Sequence, residues 1–145
     1  MDSIAQIIQI SVAPVFLLVA IGSFLNVVTG RLGRVVDRAR VREAESVNSA
    51  EGVTPECRNE LRVLDKRIRY CHWSINALGF AAFIVAVLVS VMFLTDLAGG
   101  GAGPSLIAPL FILAMTAIIA GLGFFLAEIS VATRTVRVRR DLLSD

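Results

Sequence analysis

Every Lys and Arg residue of this 145-residue chain falls in one of two windows, residues 31–69 and 134–140. Residues 1–30 and 70–133 contain no basic residue, and 56% of the whole chain is hydrophobic. Burying a cation in hydrocarbon costs about 2.5 to 3.5 kcal/mol on insertion scales, so membrane spans exclude Lys and Arg. The distribution therefore predicts an integral membrane protein.

Three apolar stretches are long enough to cross a bilayer, which requires about 20 residues of helix. They cover about residues 7–28, 75–97 and 106–127. One basic window follows the first span and the other follows the third, so both lie on the same side of the membrane. Because cytoplasmic loops collect Lys and Arg, we expect that side to be the cytoplasm, with the N-terminus outside and the C-terminus inside. Residues 1–6 lack the positive charge of a cleaved signal peptide, which favours a permanent first span.

The remaining residues predict a cytoplasmic helical hairpin at about residues 31–72 and a cytoplasmic tail at about residues 128–145. Apolar side chains recur at helical spacing on both arms of this hairpin. They are Leu32, Val35, Val36 and Ala39 on the first arm, and Leu61, Leu64 and Ile68 on the second. Thr54-Pro55-Glu56 is typical of a helix start, and a helix from Pro55 to Leu97 would have about 43 residues. The predicted fold is all-α, with residues 1–145 forming one membrane domain.

One face of the first span is small and polar. At 100° per residue, this face covers roughly 80° of the helix circumference. Its members are Ser11, Val15, Gly22, Asn26, Thr29 and Gly33. Such a face meets another helix or water rather than lipid, and three helices offer few partners, so we expect a homo-oligomer. One interpretation is plain helix packing; the other is a pore lined by Ser11, Asn26 and Thr29, with Gln6 and Gln9 at its outer mouth.

Charged residues gather at the inner ends of the predicted spans. Arg31, Arg34, Asp37 and Arg38 follow the first span, where they would form the inner mouth of a pore or contact anionic lipid headgroups. Glu128 lies near the inner end of the third span, at the depth where Arg31 and Arg34 emerge. We expect Glu128 to form an ion pair between the first and third spans; a cation site is the alternative.

Several function classes are disfavoured by the sequence. It has no nucleophile beside a base, no paired carboxylates and no phosphate-binding loop, so we expect no enzyme activity. Cys57, Cys71 and His72 do not have the spacing of zinc ligands, so we expect neither a metal nor a cofactor. Residues 31–69 contain ten basic and seven acidic residues, a net charge of +3. A nucleic-acid surface is normally less balanced, so nucleic acid is not an expected partner.

Several segments also resemble a known family. Ser11-Val12-Ala13-Pro14 and the arginine-rich block from Thr29 to Arg40 are similar to the leading signature of the bacterial membrane proteins catalogued as domain of unknown function 2721. Glu60-Leu61 and Glu128-Ile129 resemble later parts of the same family. The resemblance implies three spans in a bacterial cytoplasmic membrane and no particular activity. Two functions therefore remain open: a homo-oligomeric ion channel or pore, and a non-catalytic scaffold that binds an unidentified protein through its hairpin.

Overall fold

The protein is all-α and consists of three long helices. The computed structural model describes residues 2–48, 54–97 and 103–138. Helix α1 runs Asp2–Asn48, α2 runs Pro55–Leu97 and α3 runs Gly103–Val138. All three are long and apolar enough to cross a membrane. The prediction of three such helices is confirmed.

The helices are longer than a bilayer requires. They contain 47, 43 and 36 residues, and at 1.5 Å per residue even the shortest is about 54 Å long, against a hydrocarbon core of about 30 Å. Helix α2 is the uninterrupted helix from Pro55 that the sequence predicts. Helix α3 continues ten residues past Glu128, so the first part of the predicted tail is helical. Residues 49–53, 98–102 and 139–145 lie outside the described residues.

Local sequence explains where α2 starts. The side-chain oxygen of Thr54 accepts a hydrogen bond from the Cys57 N–H at 3.3 Å, and its carbonyl accepts one from the Arg58 N–H at 3.0 Å. Pro55 occupies the first turn, where its missing N–H costs nothing, and the negative charge of Glu56 favours a helix N-terminus. Thr54 is therefore the N-cap of α2.

The buried positions repeat every seven residues, or in alternating steps of three and four. Such spacing is typical of helices that pack side by side. On α1 the buried residues include Pro14, Ile21, Val28 and Val35. On α2 they include Leu64, Cys71, Ser74, Leu78, Ala81, Val85 and Leu88. On α3 they are Ala114, Ile118, Gly121 and Glu128. Two lines of positions are thus buried on α2, whereas α1 has a single narrow line.

Each helix contributes one segment to each of two compact units. The first unit contains residues 1–26 and 76–121; the second contains residues 27–75 and 122–145. In the described part of the first unit the buried side chains are apolar, and Gly121 packs closely on Leu78. A Cβ at Gly121 would lie 2.8 Å from Leu78 Cγ and 3.4 Å from the Leu78 backbone nitrogen. A larger residue at position 121 would therefore force Leu78 to shift.

Candidate functional site

The second unit has a buried carboxylate at its centre. Glu128 of α3 is fully inaccessible to solvent, and each of its two oxygens accepts hydrogen bonds from a different arginine. Arg31 belongs to α1 and Arg67 to α2, so one acidic side chain connects all three helices. We call Arg31, Arg67 and Glu128 the Glu128 cluster.

Both arginines use the same edge of the guanidinium group. Arg31 Nε and Nη2 each lie 3.0 Å from Oε2 of Glu128. Arg67 Nε and Nη2 lie 3.0 and 2.8 Å from Oε1. Paired N–H donors of this kind hold a carboxylate in a fixed orientation, and charge-assisted bonds are about twice as strong as neutral ones. The cluster carries two positive charges and one negative charge.

The arginines of the cluster retain contact with solvent. The exposed fractions of the side chains are 29% for Arg31 and 20% for Arg67. The guanidinium of Arg31 also lies 5.7 Å from the ring centroid of Phe125, within the range of a cation–π interaction. Glu128 thus binds the Nε and Nη2 edge of each guanidinium, while both side chains remain partly exposed to solvent.

Cys71 and Ser74 continue the buried face of α2 after Arg67. Both side chains are inaccessible, and Cys71 is a free thiol. Burial, followed by the negative charge of Glu128, raises the pKa of the Cys71 thiol, while Arg67 and Arg31 oppose this shift. Cys71 precedes the predicted second span, and its raised pKa indicates an unreactive thiol rather than a nucleophile.

An open cleft of about 280 Å³ lies beside the cluster. It is lined by four arginines and one apolar side chain: Arg31, Arg34, Val35, Arg38 and Arg67. We call it the arginine cleft. Arg34 and Arg38 are exposed, and an oxygen of Glu60 lies 3.5 Å from Arg38. The second partner of Glu128 is therefore Arg67, and Arg34 faces the cleft instead. Asp37 is exposed and is not part of this lining.

Asn26 and Thr29 of the first span lie on another side of α1. Both are exposed, and a Cβ at Gly22 or Gly33 would meet no atom within 4 Å. At 100° per residue, their face is turned by about 140° from the mean direction of the three α1 arginines of the cleft. Gln9 is exposed as well but is turned by about 130° from the centre of the polar face. The side chains of Gln6 and Ser11 lie outside the described residues.

The outer part of the second unit carries further ion pairs. Glu60 of α2 accepts Arg38 at 3.5 Å and Arg42 at 3.2 Å, so it links α2 to α1. Arg42 also donates to Glu45 at 2.9 Å. The hydrogen bond to Glu45, and next the charge of Glu60, raise the pKa of Arg42 above its ordinary value. These side chains are partly exposed to solvent, and surface ion pairs of this kind contribute little to stability.

A larger open groove, of about 750 Å³, lies in the same unit. Its lining includes a row of basic residues on α2 and a pair of aromatic residues: Arg58, Arg62, Lys66, Arg69, Trp73 and Phe124. The Trp73 and Phe124 rings are 6.0 Å apart. Two acids, Glu43 and Asp65, also line the groove, and Asp65 accepts Arg69 at 2.7 Å. The groove is therefore less strongly cationic than the arginine cleft.

Among residues 2–48, 54–97 and 103–138, no three His, Cys, Asp or Glu side chains lie close enough to hold a metal ion. The chemistry that the described site offers is recognition of negative charge by guanidinium groups.

Sequence reasoning missed the role of Arg67. The apolar stripe predicted on this arm used Leu61, Leu64 and Ile68, which placed Arg67 beside the buried face. In the structure, Arg67 follows Leu64 by three residues and precedes Cys71 by four, so it occupies a position of the buried repeat. An arginine within such a repeat, and Glu128 seven residues after Gly121, were the available signals.

Comparison with known proteins gives one match. The model of the family described as "Protein of unknown function (DUF2721)" matches residues 11–138. No curated protein and no solved structure matches the chain. The matched range contains every described residue of the Glu128 cluster and of the arginine cleft.

Proposed function

The chain belongs to the DUF2721 family, and from that premise we propose that it is a subunit of a homo-oligomeric ion channel or pore in a bacterial cytoplasmic membrane. The single observation that carries the proposal is the exposed polar face of α1 within an apolar helix. Asn26 and Thr29 belong to this face, and Gly22 and Gly33 leave it open.

Lipid contact accounts for the large apolar side chains that are exposed on all three helices but not for this face. Phe16 of α1, Phe83 of α2 and Ile119 of α3 are each more than half exposed, as expected for side chains in contact with acyl chains. An amide and a hydroxyl are better placed against a second protein surface or water than against hydrocarbon. A ring of subunits with α1 innermost would surround this face with water and with the α1 helices of neighbouring subunits.

The face also contains an apolar section. Val15 lies on it between Ser11 and Gly22 in sequence, and the Val15 side chain is half exposed. Apolar constrictions gate pores by excluding water, and polar residues on either side keep the remainder hydrated. We propose Val15 as the narrowest point of the pathway.

The position of the arginines in the sequence suggested that they form the inner mouth of the pore. In this proposal they do not. Because Arg31, Arg34 and Arg38 face the arginine cleft, they do not surround the pathway. Asp37 is turned by about 50° from the centre of the polar face, and Arg40, three residues later, lies within about 10° of that centre. Both side chains are exposed, so the inner end of the face carries one acidic and one basic group.

We propose that the basic segments lie in the cytoplasm, with the N-terminus outside. Contact of exposed arginines with anionic headgroups then anchors the helices at the inner surface. No catalytic step belongs to the proposal.

Ion flux through purified protein in liposomes tests the pore. We expect flux from the unmodified protein and a loss of at least tenfold in N26L/T29V, because two polar groups are replaced by apolar ones. T116V is the matched control: Thr116 is exposed on α3 and its hydroxyl bonds back to the Ile112 carbonyl. Flux in T116V should stay within about twofold of the unmodified protein, because a bond within one helix turn contributes little.

Native mass spectrometry of the same preparation gives the subunit number. A closed ring of four or more subunits supports the pathway. A monomer, or an absence of flux at every voltage, pH and calcium concentration, contradicts it.

The groove beside Trp73 favours a second candidate, a membrane scaffold that binds a protein partner through the hairpin. In that case R62E/R69E in the groove should abolish capture of the partner, and N26L/T29V should leave capture unchanged. The two proposals thus assign loss of function to different variants.

A further inference from the structure

We propose that the arginine cleft binds a phosphate group, carried either by a membrane lipid or by a small soluble molecule. The proposal concerns a face of α1 different from the proposed pathway and does not depend on ion conduction. It rests on the composition of the cleft, on the way its arginines are held and on its size.

The cleft contains more positive charge than its neighbouring acids neutralise. Four guanidinium groups line it, and among the described residues no acidic side chain does. The acids in contact with those groups are Glu128, which is shared by two of them, and Glu60, which Arg38 shares with Arg42. Five arginines thus share two acids here, with Glu45 as a further partner of Arg42 alone. The excess of about two positive charges matches a phosphate group, which carries one to two negative charges near neutral pH.

Two of the four arginines are held in place before any ligand arrives. Glu128 fixes the Nε and Nη2 edge of Arg31 and of Arg67, while both side chains keep solvent-exposed parts. Guanidinium groups present planar N–H forks that fit phosphate oxygens. Fixing them in advance reduces the side-chain entropy lost on binding. Arg34 and Arg38, spaced by about one helical turn, supply the mobile half of the site.

The volume selects a small ligand. At about 280 Å³ the cleft is just below the range of about 300 to 1,000 Å³ that holds drug-sized ligands. It is large enough to accommodate one phosphate group. Val35 contributes the apolar part of the lining, against which the first carbons of a headgroup or a small ester can lie.

The test measures retention of lipid by the purified full-length protein with native mass spectrometry. Phosphatidylglycerol and phosphatidylcholine are added in equal amounts, and the soluble source is tested separately with inorganic phosphate by titration calorimetry. R34Q/R38Q removes the two exposed arginines of the cleft and leaves the Glu128 cluster intact. R40Q/R62Q is the matched control, because it removes the same charge from exposed residues outside the cleft lining.

We expect phosphatidylglycerol to be retained in preference to phosphatidylcholine, or inorganic phosphate to bind, depending on the source. In either case R34Q/R38Q should weaken binding by about 30-fold, since the hydrogen bonds of each guanidinium that contacts the phosphate directly contribute about fivefold. The control should lose less than about threefold. Binding of the lipid alone assigns the site to a headgroup, and binding of both probes assigns it to phosphate in general.

Equal loss in the two double variants would show nonspecific attraction to basic residues and would overturn the proposal. So would unchanged binding in R34Q/R38Q, or binding of neither probe by the unmodified protein. Circular dichroism of both variants checks that they are folded. Ion flux is a separate readout, so failure of the phosphate site leaves the proposed pathway unaffected.

Discussion

The buried positions of the two units follow the same helical repeat, but the side chains at those positions differ in polarity. In the first unit the repeat buries apolar side chains such as Ile21, Leu78 and Val85. In the second it also buries Glu128, and two arginines pack around the carboxylate. An apolar core needs close fit, whereas a buried charge needs partners in a defined geometry. The buried positions thus follow the same spacing in both units. The type of side chain at those positions determines how much a substitution destabilises each unit.

The largest expected effect is that of E128Q in the second unit. The substitution leaves two guanidinium groups facing each other without the negative charge between them. Breaking a buried ion pair on one side costs about 3 to 5 kcal/mol, and the partial exposure of both arginines places the expected loss near the lower value. Reversible unfolding in mixed micelles measures it. E43Q, at an exposed glutamate of α1, should change the free energy of unfolding by less than about 0.5 kcal/mol. Similar free energies of unfolding for the two variants would mean that the ion pairs of Glu128 stabilise the protein no more than an exposed glutamate does.

Next in size is G121A in the first unit. The new Cβ would lie 2.8 Å from Leu78 Cγ, close to backbone as well, so the helices must shift. Overpacking of this kind costs about 1 to 3 kcal/mol. G123A is the matched control, because a Cβ there meets no atom within 4 Å, and alanine should stabilise the helix by about 0.5 to 1 kcal/mol. The two variants should therefore change the melting temperature in opposite directions. A shift in the same direction contradicts the close packing of Gly121.

A smaller effect is expected of R67K, which keeps the charge of the cluster and removes the guanidinium fork. Lysine offers one compact ammonium group in place of two aligned N–H donors. We expect a loss of about 1 kcal/mol, the typical value of a hydrogen bond. R69K changes an exposed pair with Asp65 and should stay within about 0.5 kcal/mol. If R67K is as stable as R69K, the fork geometry of the Arg67 guanidinium does not contribute to the stability of the cluster.

The smallest effect is expected of T54A, which removes the N-cap of α2 in the second unit. Loss of the Thr54 hydroxyl leaves the Cys57 N–H without its side-chain acceptor and costs about 0.5 to 1 kcal/mol. Amide hydrogen exchange should speed up in the first turn of α2. T54S retains the oxygen and should exchange as the unmodified protein does. Uniformly faster exchange along α2 would indicate a global change instead of a local cap.

Much of the fold follows from composition along the chain. Hydrocarbon excludes cations, so the gaps between Lys and Arg residues predicted three long apolar helices, and the start of α2 followed from Thr54-Pro55-Glu56. The sequence predicted only part of the candidate site. The depth of Glu128 relative to Arg31 suggested their pairing, whereas Arg67 lay outside the apolar stripe drawn from neighbouring residues.

By itself, the sequence determined that this chain forms three helices, long and apolar enough to cross a membrane, because that property depends only on the local transfer free energy of each residue. Only the tertiary structure decided which arginines share Glu128 and which face the cleft. Side-chain partners depend on the rotation of each helix about its axis, and that rotation is set by packing across residues far apart in the chain. The separation of Asn26 and Thr29 from the arginines of the cleft was already determined by the sequence, because the angle between residues of one helix follows from their spacing along the chain.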